Sequence, residues 1–405
     1  MIIRIPKRID KTVLLLFMMF LYPAISGYLN KIVSVVIPID QFVFDIIIWS
    51  IIVIWSLAFL IGKIKPKHLA IFVSFALFAF LQWFFANHYV FRLDTLGVLT
   101  FSILPAFFIG VSVKIEKNTF EPLYILSIFV LLVSIAYSFY YKTDRNLLSD
   151  NMDYAYKVLP AILIITSGIF IKGKKLVSII FTAVSLVFLL ALGTRGPILC
   201  YIVFVLFLLI KNIGFKSFTI ASFILGIALS LFINSAFYTV PLLRISSKLE
   251  DMGFSTRVVE MLLKDELSNA NGRDAIQDKL IYEIREEPFE FRGIFSDRTS
   301  TVGLVDKVYS TSYESGTYAH NIFIEFLHNY GIVFGTLLLI ILLVSVIKLL
   351  VGCKKEIFFI AASCICMGFV YLIVSGSYLT EPFFFMMIGL FMNESVYKYP
   401  VRLVK

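Results

Sequence analysis

The sequence predicts an all-α polytopic membrane protein with about 12 transmembrane helices and one long extracytoplasmic loop containing amphipathic helices. Three observations predict it. Of the 405 residues, 60% are apolar and only 16% charged, whereas soluble domains are about half apolar and about a quarter charged. Mean hydropathy is +0.92. The apolar residues gather in runs of ~20, the length that crosses a bilayer as a helix, and between the ninth and tenth runs they give way to a long stretch of mixed charge.

The runs begin near positions 12, 42, 68, 96, 120, 154, 176, 197, 217, 332, 357 and 379. The last, "EPFFFMMIGLFMNES", is short between its charges, so its span starts slightly earlier, around Tyr378. The chain thus divides into spans one to nine over 1–238, an extracytoplasmic loop over 239–320, and spans ten to twelve over 321–405. "MIIRIPKRIDK" leads into the first run without a small-residue cleavage site, which reads as a cytoplasmic tail before an anchor rather than a removed signal peptide. Lys and Arg set the orientation, because connections rich in them stay cytoplasmic. The termini and even-numbered connections hold 20 basic residues, and the short connections and helix ends on the other side hold 6. Both termini are therefore expected inside, and the loop, with 10 basic and 14 acidic residues, outside. The net charge of +9 is accounted for by this asymmetry, so no nucleic-acid partner is called for. Cys200, Cys353, Cys364 and Cys366 fall in spans or at the cytoplasmic edge, which leaves the external loop without a disulfide.

The unusual charges cluster toward one side. Asp45, Lys157, Arg195, Glu325 and Glu381 all lie near outer ends of spans, and the inner halves are free of clear ionisable residues. Carriers of polar substrates place such groups near the midplane, often at broken helices. This argues against a lipid-linked sugar flippase or exporter and moves the chemistry to the outer face. Taken singly, Asp45, Lys157 and Glu381 read as interfacial anchors.

In "ALGTRGPILC", Gly193 and Gly196 offer turn freedom and Pro197 suits the first position of a following helix, so Arg195 is expected beside the free amides of a helix start. That combination suits an anion such as phosphate. In "NGRDAIQDKLIYEIREEPFEFRG", Ile276, Leu280 and Ile284 recur every four residues, which predicts an amphipathic helix of roughly 14 residues ending at Pro288. Asn271 would cap it and leave Arg273 in its first turn, a second anion site of the same kind. A preceding helix over "STRVVEMLLKDEL" would put Arg257 in a first turn as well. Arg257, Arg285 and Arg292 read as solvated helix ends.

Three pieces then stand in order: "GTRGPIL", "NGRDAIQDKLIYEIREEPFEFRG" and "AHNIFIEFLHNYGIVFGTLLL". Over about 190 to 345 this order resembles the O-antigen polymerase and O-antigen ligase superfamily of bacterial envelopes, whose members share an arginine-glycine hairpin, a Gly-Arg amphipathic helix ending near a proline, and a His-Asn pair followed by a glycine about ten residues on. "EEPFEFRGIF" departs from the family's apolar, glycine-rich run and keeps only Gly293. The resemblance implies a GT-C-like, metal-independent glycosyltransferase of the bacterial inner membrane, with polyprenyl-pyrophosphate-linked oligosaccharides as substrates and a chain-length regulator and a flippase as partners. The residues agree with that chemistry: the sequence has no metal-ligand spacing, no Gly-rich nucleotide loop and no cofactor motif.

On this reading His320 is the catalytic residue, as general base toward the acceptor hydroxyl or as a hydrogen-bonding partner, chosen because an unperturbed imidazole titrates near working pH. Arg195 and Arg273 hold the donor pyrophosphate. Asn321, Glu325 and Arg257 are supporting candidates, Asn321 as a helix cap, and His328 is structural. A polymerase, extending a lipid-linked repeat unit, is favoured over a ligase that transfers the glycan to a lipid A-core acceptor.

The charge asymmetry makes a direct prediction. Accessibility tags at Lys174 and Glu283 are expected to report opposite sides of the membrane, with Glu283 external; both tags on the cytoplasmic side would remove the external site.

Overall fold

The computed structural model describes residues 11–37, 40–60, 62, 64–86, 103–140, 151–171, 173–192, 194–213, 247, 273–306, 311–312, 317–355 and 357–397. In chain order the helices are α1 (Lys11–Phe20), α2 (Tyr22–Val36), α3 (Gln41–Leu60), α4 (Pro66–Ala86), α5 (Leu104–Ser112), α6 (Phe120–Tyr140), α7 (Asn151–Ser167), α8 (Lys175–Ala191), α9 (Arg195–Ile213), α10 (Arg273–Glu286), α11 (Ser296–Ser300), α12 (Ile322–Gly352), α13 (Phe358–Ile365), α14 (Tyr371–Val374) and α15 (Pro382–Met392). Cys366–Val370 forms a π-helical turn between α13 and α14, and Val305–Asp306 pairs with Thr311–Ser312 as a minimal antiparallel ribbon.

Among the described residues, four helical segments are long and apolar enough to cross a membrane: Phe120–Phe139, Met152–Phe170, Arg195–Asn212 and Ile322–Gly352. A fifth is added if α1 and the first part of α2, bent by 72°, count as one span. The sequence reads that first run as a plain span; Pro23, in the first turn of α2, lacks an amide hydrogen to continue the ladder of α1. Lys175–Ala191, Phe358–Val374 and Pro382–Met392 are shorter apolar helices. The span expected from 217 and the helix over "STRVVEMLLKDEL" lie outside the described residues, as does the start of the span expected from 96.

The chain divides into two compact units. The first comprises Met1–Asp45 and Glu116–Asn269, and α7 is its axis. Val158, Leu159, Ala161, Ile162 and Leu163 are fully buried there, because α7 is apolar around its whole circumference over these turns. Inside this unit Thr166 and Ser167 donate to carbonyls one turn back, and the Tyr124 and Ser178 hydroxyls meet at 2.8 Å between α6 and α8.

The second unit comprises Ile46–Ile115 and Ala270–Lys405. α5 and α15 touch backbone to backbone at Gly110 and Gly389, where a Cβ on Gly389 would come 2.5 Å from the Phe107 carbonyl oxygen. Small residues permit such approach where packing rather than the hydrophobic effect holds helices together. Asn393 Nδ2 donates to the Gly110 and Val113 carbonyls at 3.0 and 2.9 Å and closes the same contact. α10 carries its stripe as the four-residue spacing requires, with Ile276 and Leu280 fully buried against Ala319, Leu304 and Ile324.

α12 is two helices in sequence. Gly331 adopts φ 71°, ψ 167° and breaks the ladder. The groups at the break are bonded by the loop after α10: the Ile332 amide donates to the Pro288 carbonyl and the Gly293 amide to the Asn329 carbonyl, each at 2.8 Å. Thus "EEPFEFRG" is the brace of the break, and its Gly293 sits at φ 89°. "TYAHNIFIEFLHNYG" therefore does not run straight into the span. Its helical part ends at the break, and 332–352 continues from there.

A Cβ at Gly331 would stand 2.9 Å from the Glu290 carbonyl oxygen, whereas at Gly303, also at positive φ (72°), it would meet nothing within 4 Å. Gly331→Ala is expected to cost about 2 kcal/mol or more, from backbone strain plus the clash, and Gly303→Ala about 1 kcal/mol from the backbone alone. Thermal unfolding in detergent checks this; equal losses would show that the brace is not tight.

Candidate functional site

The candidate site lies in the second unit, at the N-terminal end of α12. Asn321 caps the helix, its side-chain oxygen accepting from the Phe323 and Ile324 amides at 2.9 and 3.4 Å, which is the capping role assigned from sequence. His320 directly precedes the cap and is held at φ 55°, a left-handed conformation costing an L-residue roughly 1–2 kcal/mol. Its Nδ1 is buried and has no hydrogen-bond partner among the described residues, and its ring lies 4.1 Å from that of Tyr318.

Arg273 opens α10 and donates from Nη1 to the Val374 carbonyl at 2.6 Å. This is a cation at the C-terminal end of α14, where the helix dipole favours it. Burial, and then the positive charge of Arg273, lower the His320 pKa to about 3. The sequence argument for His320 rested on an imidazole near its ordinary pKa; the structure instead holds it neutral at physiological pH. Of the proposed residues, the structure brings Arg273, His320 and Asn321 together.

Behind them lies a buried polar network that the sequence does not reveal. Glu325 is fully buried and accepts from the Ser377 hydroxyl and, at 3.3 Å, from the Tyr378 amide. His328, also fully buried, has Nε2 2.8 Å from Glu283 Oε2 and Nδ1 3.1 Å from Ser296 Oγ, and that hydroxyl donates to Asn329 Oδ1 at 2.8 Å. Burial tends to raise the Glu283 carboxyl, but hydrogen bonds from His328 and Ser300 outweigh it and leave the group below the ordinary carboxylate range. Asp297, fully buried, is pushed up by burial against the opposing charge of Arg298. His328 is structural, as the sequence suggests, but it joins α10, α11 and α12, and removing such a buried bridge leaves polar groups unsatisfied.

Next to this network the second unit has an apolar groove of about 430 Å³, with Phe72, Phe75, Tyr330, Phe334, Leu338 and Phe385 in its walls. Tyr330 and Tyr378 join their hydroxyls at 2.6 Å. The segment 322–330 thus serves both features, carrying Glu325 and His328 for the network and Phe326 and Tyr330 for the groove.

The other sequence candidates fall elsewhere. Arg195 belongs to the first unit, where it is the half-buried first residue of α9 and already has an interaction partner. Pro197 is the third residue of that helix, not the first, and Gly196 is there for close approach, since a Cβ would collide with the Tyr156 hydroxyl. Gly193, Arg257 and Asn271 lie outside the described residues. Arg292 is not a solvated helix end: its side chain is 11% exposed, donates to the Glu283 and Glu287 carbonyls at 2.9 and 3.2 Å, and pairs with Glu290 at 2.8 Å. The sequence hid this because the carbonyls it caps are backbone groups five and nine positions away. Asp297, Ser296 and Ser377 gave no signal either, for nothing in their local spacing points to partners 22 to 52 residues distant.

No family model, curated protein or solved structure matches the chain.

A buried neutral histidine has a stability signature. Its folded pKa of about 3 lies below the ordinary 6.5, so between those values the unfolded chain binds more protons and stability falls as pH falls. Wild-type protein should therefore lose more stability than His320→Asn between pH 6.5 and 4.5, as read from thermal unfolding in detergent. Parallel losses would mean that His320 is not held neutral by its surroundings.

Proposed function

We propose that the protein is a membrane-embedded polysaccharide polymerase that transfers a growing glycan from a polyprenyl-pyrophosphate donor to a lipid-linked acceptor at the outer face of the bacterial inner membrane, within a topology of about 12 spans with both termini cytoplasmic. The observation that carries this reading is His320, a neutral imidazole under the charge of Arg273 whose Nδ1 has no described partner, in the unit that also holds an aromatic-walled apolar groove. An anion-binding guanidinium, a hydrogen-bonding group for a hydroxyl and a channel for an isoprenoid chain are the three things such a reaction needs.

In the proposed step the acceptor hydroxyl oxygen bonds to the anomeric carbon of the donor sugar. The bond from that carbon to the pyrophosphate oxygen breaks, and the polyprenyl pyrophosphate leaves with the electron pair. The hydroxyl proton passes to His320. In the resting protein burial opposes protonation of His320 most, and the positive charge of Arg273 adds to it. A bound pyrophosphate offsets that charge, so the imidazole becomes more basic when the donor is in place. Arg273 meanwhile stabilises the negative charge that grows on the leaving oxygen, an effect strengthened where water is excluded. A ligase would use the same step with a different acceptor.

The test is the ladder of lipid-linked glycan lengths in a strain whose only copy is the variant. His320→Ala is expected to reduce extension by about 100-fold to 10,000-fold, the usual range for a positioned acid-base group, with donor binding retained. Arg273→Ala should weaken donor binding as well, and Arg273→Lys should restore it only in part, because Lys keeps the charge without the planar fork. A normal ladder from well-expressed His320→Ala protein would remove the histidine from the mechanism.

A further inference from the structure

His320 sits in a conformation that its own side chain disfavours, so something outside it must hold the strap 317–321 in place. Asn321 fixes the C-terminal end of the strap through the α12 cap. Further hydrogen bonds to the strap come from Asp297 on α11 and from Thr301, the C-cap of that helix. The Asp297 carboxylate accepts at Oδ2 from the Ala319 amide at 3.1 Å, immediately before His320. The Thr301 hydroxyl accepts from the Thr317 amide at 2.7 Å and stands 2.7 Å from the Thr317 carbonyl oxygen, where it can return a hydrogen bond. Asp297 and Thr301 are both fully buried, as is Ala319. Asp297 is on a helix of only five residues and Thr301 is its C-cap; the position of that helix is in turn set by Ser296, bonded to Asn329 on α12.

We propose that Asp297 and Thr301 are positioning residues for His320: together they clamp the strap at Ala319 and Thr317 and hold the imidazole in its left-handed position beside Arg273. The clamp acts through the backbone, so it constrains where His320 stands without touching the ring. α11 and its C-cap then do more than fill space, because their two inward polar groups meet the backbone of the strap at Thr317 and Ala319. Asp297 works here as an acceptor, so an amide oxygen can replace its carboxylate, whereas a branched apolar side chain of similar size cannot. Likewise Thr301→Ser keeps both bonds and Thr301→Val removes them with little change in shape.

The kinetic arm of the test rests on the proposed glycosyl transfer; the structural arm does not. The structural arm reads the rate at which diethyl pyrocarbonate modifies each histidine of the full-length protein in detergent, resolved by mass spectrometry, with His68, 3% exposed on α4, as the reference for intact packing. Asp297→Leu and Thr301→Val should speed modification of His320 and leave His68 protected. Asp297→Asn and Thr301→Ser should behave as wild type. In the glycan ladder the first pair should lose about 100-fold in extension, as expected when a reacting group is misplaced by about 1 Å, and the second pair should stay near wild type. Unchanged His320 reactivity in both Asp297→Leu and Thr301→Val overturns the clamp. So does loss of His68 protection in both, since the residues would then support the whole unit rather than the strap. Faster modification of His320 in a protein whose wild type shows no chain extension would leave the clamp standing and sink the transferase reading.

Discussion

At Gly331 the chain leaves helical geometry with φ 71° and ψ 167°, and the backbone groups released there must find partners where water is scarce, because an unsatisfied amide or carbonyl in such surroundings costs several kcal/mol, of order 2–7. The loop between α10 and α11 supplies them, through Pro288 and Gly293. Everything at the candidate site follows from that exchange. The break ends the segment 322–330 at its last turn, the brace ties this segment to α10 and α11, and the tie brings Glu283 and Ser296 to His328. A straight helix would carry Glu325 and His328 on a single continuous rod with no loop bound at its middle.

The buried polar groups satisfy one another in large part, while Asp297 Oδ1 and Asn329 Nδ2 have no hydrogen-bond partner among the described residues. Glu325, His328, Asn329 and Asp297 are each fully buried, and each has at least one hydrogen bond to another element of the unit. The bonds that are made link α10, α11, α12 and the segment 377–378, so the members constrain each other's positions. His320 stands at the edge of this network, under the charge of Arg273, on a strap fixed at its C-terminal end by the Asn321 cap. The apolar groove is built on the opposite side of the same short helix by Phe326 and Tyr330. Polar and apolar functions are thus separated by the faces of one helix rather than by separate domains.

Composition and periodicity alone determined the apolar segments that became helices long enough to cross a membrane, the amphipathic α10 with its buried Ile276 and Leu280, and the Asn321 cap. These depend on local chemistry: apolar length against bilayer thickness, spacing against helical pitch, and a side-chain oxygen two or three residues from free amides. Tertiary structure alone decided the bend between α1 and α2, the service of "EEPFEFRG" as a brace, the burial of Arg292 over backbone carbonyls, and the meeting of Glu283 with His328 across 45 positions. It also decided the protonation state of His320, which sequence reasoning took at its ordinary value and which burial and Arg273 move far down. The physical reason is the same in each case: desolvation and long-range hydrogen bonding depend on which groups the fold brings within a few ångströms, and no spacing along the chain encodes that distance.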